Sequence, residues 1–346
     1  MEWLNAEYSN VKNCLLAALP EEWVGLYQIA ADWYNEPFTP EIALPLAACQ
    51  AVGGSAAQAS SVAASLLASA ISMRILDDVQ DQDNPNALWA LIGNGRAFNF
   101  AFVFQTVAFK ILQEAELEPE AAKRVRKAII DGFLFTAAGQ DRDLAQLTDT
   151  IEDYYLTIEL KTATPYATAV AVGAAVHTNN EAQLQACRDF GHHLGMAAQI
   201  LNDYNGIWGD EGAKDLQDGK ITLPLLYGLQ TENAYRNTLT NFVQRREIHV
   251  FSDKIRYLLE LIETPAFLWN EAIKHRQMAL DAIATLPDEQ GKAALEACFT
   301  HMFVDIDRVL AITTTKTEEE ILAIEPTIPT NSSEALSLRR NIVAKM

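Results

Sequence analysis

The chain has 346 residues, of which 46 are acidic and 26 basic, for a formal net charge of −20, and 49% of it is hydrophobic. That apolar share is enough for a large core and excludes a mainly disordered chain. The acidity excludes extended contact with a nucleic-acid backbone, but not a small anion held by metal ions or a few lysines.

Along the chain, alanine-rich helical periodicity dominates and strand-like alternation is nearly absent. Residues 1–36 read as an N-terminal helical segment. Thr39 before Pro40 suits a helix start, the threonine as cap and the proline as first residue. A long helix is expected over 56–81, ended before Pro85. Further helices fit 87–114, 119–140, 148–176, 180–208, 222–230, 232–246, 251–286 and 288–313. No linker separates two cores, so 37–312 reads as one large helical domain, and the polar stretch 313–346 as a mobile tail. Cys14, Cys49, Cys187 and Cys298 form no C-x-x-C pair and read as free thiols in a reducing compartment. The first residues lack the order of a signal peptide, and the apolar stretch 51–72 reads as a core helix. A cytoplasmic protein without stable membrane insertion is therefore expected.

Chemistry concentrates in a few places. Asp77 and Asp81 stand four residues apart at the end of an apolar helix, on one face, where like charges repel. A cation between them accounts for that placement, and an all-carboxylate set with Asp78 favours magnesium. A solvated helix end is the other reading. A second polar stretch runs from Gln199 to Gly212. In it Asn202, Gly206 and Asp210 share a face if the helix persists past Gly206, with Asp203 beside them. Lys214 and Lys220 follow as point charges suited to phosphate. Lys161 is a charge inside an apolar helix and needs an anionic partner or a snorkelling route. Together these describe two acidic walls for magnesium, lysines for a diphosphate, and apolar helices for a hydrocarbon. A metal-bound diphosphate is a good leaving group, and the allylic cation it leaves needs a dry pocket.

At this point the sequence resembles the trans-isoprenyl diphosphate synthases and the related class I terpene synthases. Asp77-Asp78-Val79-Gln80-Asp81 is similar to their D-D-x-x-D motif, and Lys161-Thr162-Ala163 to their K-T-a element. Gln199-Ile200-Leu201-Asn202-Asp203 resembles F-Q-x-x-D-D, with Ala198 for Phe and Asn202 for the first Asp. The stretch from Asp215 to Pro224 resembles D-L-x-x-G-K-x-T-L-P, and Gly139 to Leu144 resembles G-Q-x-x-D-L. The likeness covers about residues 36–310. It implies an all-α fold of the isoprenoid synthase type, a single large helical bundle with a central apolar cavity, commonly dimeric. It further implies three magnesium ions, held by Asp77, Asp78 and Asp81 on one side and Asn202, Asp203 and Asp210 on the other. A prenyl diphosphate would be bound by Lys161, Thr162, Gln199, Lys214 and Lys220.

The departures shape the expected activity. The G-G-K-x-x-R and R-R-G segments that bind isopentenyl diphosphate in elongating relatives have no counterpart in 36–45 or 84–87. Asn202-Asp203 through Asp210 also resembles the N-D-x-x-S-x-x-x-E motif of cyclases, with Glu211 an alternative to Asp210. The expected activity is therefore a terpene synthase, a lyase that ionises a C15–C25 prenyl diphosphate. Asp77, Asp81, Asn202 and Asp210 would be its catalytic ligands. Met73 and Ser72, before the first motif, favour C20 or longer by the family's pattern. Phe98, Phe102, Tyr204 and Trp208 are candidate cation-facing rings. The alternatives are a prenyltransferase acting on isopentenyl diphosphate or on another acceptor such as an indole, and a non-catalytic subunit of a heteromeric synthase.

Overall fold

The computed structural model describes residues 2–32, 39–82, 84–209 and 212–299. In chain order the helices are α1 (Glu2–Ala18), α2 (Val24–Asp32), α3 (Pro40–Ala51), α4 (Ser60–Asp81), α5 (Leu88–Ile92), α6 (Asn94–Glu114), α7 (Pro119–Leu144) and α8 (Ile151–Ile158). They continue with α9 (Thr164–His177), α10 (Glu181–Trp208), α11 (Lys214–Gln217), α12 (Leu223–Gln230), α13 (Arg236–Gln244), α14 (Ser252–Leu261), α15 (Thr264–Ile283) and α16 (Glu289–Ala297). A 3-10 turn, Ala56–Ala59, leads into α4, and a π turn, Glu159–Ala163, joins α8 to α9. The described residues contain no strand, so the fold is all-α.

The chain forms two compact units. The first comprises Met1–Phe133, Pro165–Gly191 and Leu280–Cys298. Its centre is α4 packed along α6. Small residues let the two helices approach, and the hydroxyls of Ser65 and Ser72 donate to the carbonyls of Ala108 (2.9 Å) and Ala101 (2.7 Å). These bonds satisfy hydroxyls that would otherwise be buried at a cost. Leu67, Ile71 and Ile75 of α4 and Phe104 of α6 are among the largest fully buried side chains. By length and composition the stretch Ala56–Asp81 is apolar enough to cross a membrane, and 67% of its apolar window is buried in the core. Helix α3 begins at Pro40 as expected, but Thr39 makes no side-chain cap bond. Its carbonyl instead receives the Tyr8 hydroxyl at 3.2 Å.

The second unit comprises Leu134–Thr164 and His192–Ala279, with Phe299 among the described residues beyond them. Helix α8 is capped by Thr150, whose hydroxyl oxygen accepts from the Asp153 N–H at 3.0 Å. Gln230, at the end of α12, accepts from the Ile151 N–H (3.1 Å) and donates to the Asp149 carbonyl (3.0 Å), tying α12 to the start of α8.

Two helices expected as continuous are divided. The stretch 87–114 breaks at Gly93, which has φ 84°. The stretch 251–286 breaks at Glu263, φ 60°. Pro265 lacks an N–H and disfavours helix at the residue before it, so α15 has to start afresh there. The expected end of the last helix and the stretch 313–346 lie outside the described residues.

Candidate active site

In the first unit, Asp77, Asp78 and Asp81 occupy the last turn of α4. Asp77 and Asp78 are half-buried and Asp81 is exposed. The helix stops directly after them, where Gln82 turns to φ 52° and its N–H donates to the Asp78 carbonyl at 3.1 Å. Asp77 and Asp81 therefore do share a helical face. Their all-oxygen donor chemistry fits a hard divalent cation, which takes one or two carboxylates and completes its shell with water and phosphate. Arg74 lies one turn before Asp77 on the same helix.

In the second unit, Thr162, Gln199 and Asp203 are joined in one hydrogen-bonded run. The Thr162 hydroxyl donates to Gln199 Oε1 (2.9 Å), and Gln199 Nε2 donates to Asp203 Oδ1 (2.9 Å). The other Asp203 oxygen accepts the Tyr154 hydroxyl and the N–H of Leu223 at the start of α12 (3.4 Å). Asp203 is 1% exposed. Burial pushes its carboxyl up to about 7, with the nearby charge of Asp215 adding to the rise. The hydrogen bonds from Tyr154, Gln199 and Leu223 pull the other way. Burial, and then the charge of Asp203, also raise the Tyr154 phenol well above its ordinary value.

Lys161 owes its position to a backbone irregularity. The π turn Glu159–Ala163 inserts one wide turn between α8 and α9, and such turns recur at functional sites because they re-aim side chains. Gly139 of α7 lies directly against this turn. A Cβ there would meet the Lys161 nitrogen and come within 2.7 Å of the Leu160 carbonyl carbon, so only glycine permits the approach. One turn further along α7, Asp143 Oδ2 holds Lys161 Nζ at 2.6 Å. Lys161 is thus ion-paired rather than merely snorkelling.

Lys214 opens α11, and Lys220 precedes α12; both are exposed. Helix α10 persists through Gly206 to Trp208, so Asn202 and Gly206 stand one turn apart, with Asn202 exposed. Asp210 and Glu211 lie outside the described residues. Among the described residues no three His, Cys, Asp or Glu side chains gather into a closed metal cage. Of the four candidate rings, Phe98 and Phe102 are 47% and 72% exposed on α6. Tyr204 packs against Trp208 and Trp269 (ring centroids 5.3 and 4.8 Å), and Trp208 Nε1 donates to Glu260 at 3.2 Å. Tyr154 and Asp143 received no role from the sequence. In the sequence Tyr154 is indistinguishable from an ordinary core tyrosine. Asp143 was visible only as part of a motif.

A family model described as polyprenyl synthetase matches residues 43–262, more than half of the chain. The chain belongs to the polyprenyl synthetase family. A geranylgeranyl diphosphate synthase from Mycobacterium tuberculosis is 30% identical over 224 residues, covering 61% of this family member and 64% of that enzyme. The tryptophan prenyltransferase ComQ of Bacillus subtilis is 24% identical over 233 residues, covering 66% and 76%. A polyprenyl synthase from Caulobacter crescentus, solved with calcium and isoprenyl diphosphate, superposes with a TM-score of 0.73 at 19% identity, covering 87% of this family member and 96% of that chain.

The expected terpene synthase, or lyase, is corrected by these findings. The matching family is one of synthetases, and the relatives are named a diphosphate synthase and a prenyltransferase, not cyclases. The physical reason is that two basic segments missing at particular sequence positions remove one arrangement of cations and not every cation. Arg74, one turn before Asp77, puts a cation on the helix that carries the first motif.

Proposed function

We propose that the chain is a divalent-metal-dependent prenyltransferase that ionises an allylic prenyl diphosphate and joins the prenyl carbon to isopentenyl diphosphate. The observation that carries this reading is the run Thr162–Gln199–Asp203 with Lys161 aimed beside it by the π turn, in a chain matched by the polyprenyl synthetase model. Asp77, Asp78 and Asp81, with Asn202, Asp203 and Asp210, would hold magnesium. The calcium in the Caulobacter crescentus structure supports a divalent ion in this fold. Bound metal neutralises charge on the departing diphosphate. Lys161, Lys214 and Lys220 would contact the diphosphate oxygens, while Thr162 and Gln199 fix the orientation of Asp203.

A second reading is favoured by one pair of observations. The basic segments for a second diphosphate are absent from 36–45 and 84–87, and one relative is a tryptophan prenyltransferase. Under that reading the acceptor is an indole. The test is to incubate purified protein with magnesium and prenyl diphosphates of C10 to C25, adding either isopentenyl diphosphate or a tryptophan peptide. Longer diphosphates formed only with isopentenyl diphosphate support the first reading, and a prenylated peptide supports the second. Absence of turnover with every pair refutes both. Asp77→Ala should abolish whichever activity is found.

Self-association belongs to the same proposal. Phe98, Phe102 and Phe109 are exposed on α6, and from Asn84 to Gln113 the chain carries no Asp or Glu despite its charge of −20. Two acidic copies repel least at such a face. Sedimentation of the wild type and of Phe102→Lys should give a dimer and a weakened dimer.

A further inference from the structure

Two neighbouring residues of opposite charge at the end of α7 reach the same stretch of chain. Asp143 holds Lys161 in the π turn beyond α8. Arg142 holds α8 itself. Its Nε donates to the Thr157 hydroxyl at 3.2 Å, and an Nη lies 3.7 Å from Asp153 Oδ1. Asp153 and Thr157 are one turn apart, so both contacts fall on one face of α8. The Thr157 hydroxyl in turn donates to the Asp153 carbonyl at 2.9 Å, and Thr157 is buried.

Arg142 also fixes the connection between the two helices. Its carbonyl accepts the Leu147 N–H at 3.0 Å, and the Asp143 carbonyl accepts the Gln146 N–H at 2.9 Å, with Gln146 at φ 55°. This paired capping ends a helix on one left-handed residue. The Arg142 guanidinium then donates to the Leu147 carbonyl at 3.2 Å. One residue therefore binds Leu147 through both its N–H and its carbonyl, and α8 through Asp153 and Thr157. Helix α8 has eight residues, a length that does not hold itself in isolation, so its place is set by such ties. It runs directly into the π turn that aims Lys161.

We propose that Arg142 is a positioning residue for diphosphate binding and acts through Lys161, by fixing the helix from which the π turn presents the lysine. This rests on the reading of Lys161 as a diphosphate ligand. The guanidinium is engaged by Thr157, Leu147 and Asp153, so what it contributes at the ligand is geometry and not charge. A planar fork of donors suits three partners at once, which a point-charge ammonium does not.

The probe is inorganic diphosphate, titrated calorimetrically into the full chain with magnesium present, and the melting temperature is followed in the same samples. Lys161→Ala should weaken binding about tenfold or more, as expected for one lost charge-assisted hydrogen bond. Arg142→Met keeps the stem and loses the donors, and should weaken binding by about three- to tenfold, a part of that same contribution. Thr157→Val removes the acceptor of Nε at constant charge and should weaken binding in the same direction. In a Lys161→Ala background neither substitution should weaken binding further, because residues that act through one another are not additive. An undiminished loss in that background marks a direct or purely structural role. That result, or wild-type affinity in both Arg142→Met and Thr157→Val, overturns the inference and leaves the reading of Lys161 standing. Wild-type affinity in Lys161→Ala, or a wild type that binds no diphosphate with magnesium, overturns both.

Discussion

Asp203 offers a test that needs no substrate. It is almost fully buried, and burial carries its carboxyl from 3.8 to about 7. In the folded protein the group keeps its proton up to about pH 7, whereas in the unfolded chain it has released it by about pH 4. Between those limits the folded state binds more protons, so stability falls as pH rises. The contribution is complete below the unfolded value and lost once pH has risen through the folded one. A shift of roughly three units at about 1.4 kcal/mol each amounts to on the order of 4 kcal/mol across the window. Asp203→Asn cannot titrate there. Urea unfolding of metal-free wild type and variant, compared between about pH 5 and 6.5, cancels every other titrating group. The stability advantage of the wild type over the variant should shrink by about 2 kcal/mol across that interval. The amide's altered hydrogen bonds to Tyr154 and Gln199 shift the whole comparison but not its slope. A difference that stays level with pH would refute a protonated, buried Asp203.

Three further outcomes are expected. His275, whose Nδ1 lies 3.0 Å from His193 Nδ1, is lowered to about 4 by burial and by the charges of His193, His192 and Lys274. The stabilisation from its neutral form is complete above the ordinary histidine value of 6.5 and is lost as pH falls towards 4, so His275→Phe should flatten the melting temperature over that range. Gly139→Ala pushes a methyl into the backbone of the π turn and should cost about 1–3 kcal/mol in urea unfolding, together with a raised KM for the allylic diphosphate. Asp143→Asn breaks the Lys161 pair, whose side chains are 26% and 44% exposed, so stability should change by no more than about 1 kcal/mol while the KM for the allylic diphosphate rises.

Much of the fold was legible because its signals are local. Helix α4 announces itself by small and apolar residues and by the proline beyond its end, and the expected span 56–81 differs from the observed helix only in a 3-10 first turn. The same holds for α10, which places Gln199, Asn202 and Asp203 on one continuous helix. The site was less legible because its decisive features are not local. A π turn adds one residue to a hydrogen-bond ladder and leaves no mark on composition, so the sequence left open whether Lys161 meets an anionic partner or snorkels. Tyr154 meets Asp203 across 49 residues, and Asp143 meets Lys161 across 18.

The same distinction explains the reversal over activity. Missing basic segments argued for the loss of a second anion site, but a missing motif removes one arrangement of charge and not charge itself. The acidic side of the ledger behaves likewise. The formal −20 counts Asp203 as ionised, yet burial keeps its proton to near neutrality, while Lys161 and Asp143, both already in that sum, offset each other locally. Divalent metal would reverse the first of these by favouring the ionised form. The charge that acts in the site is thus set by what binds there.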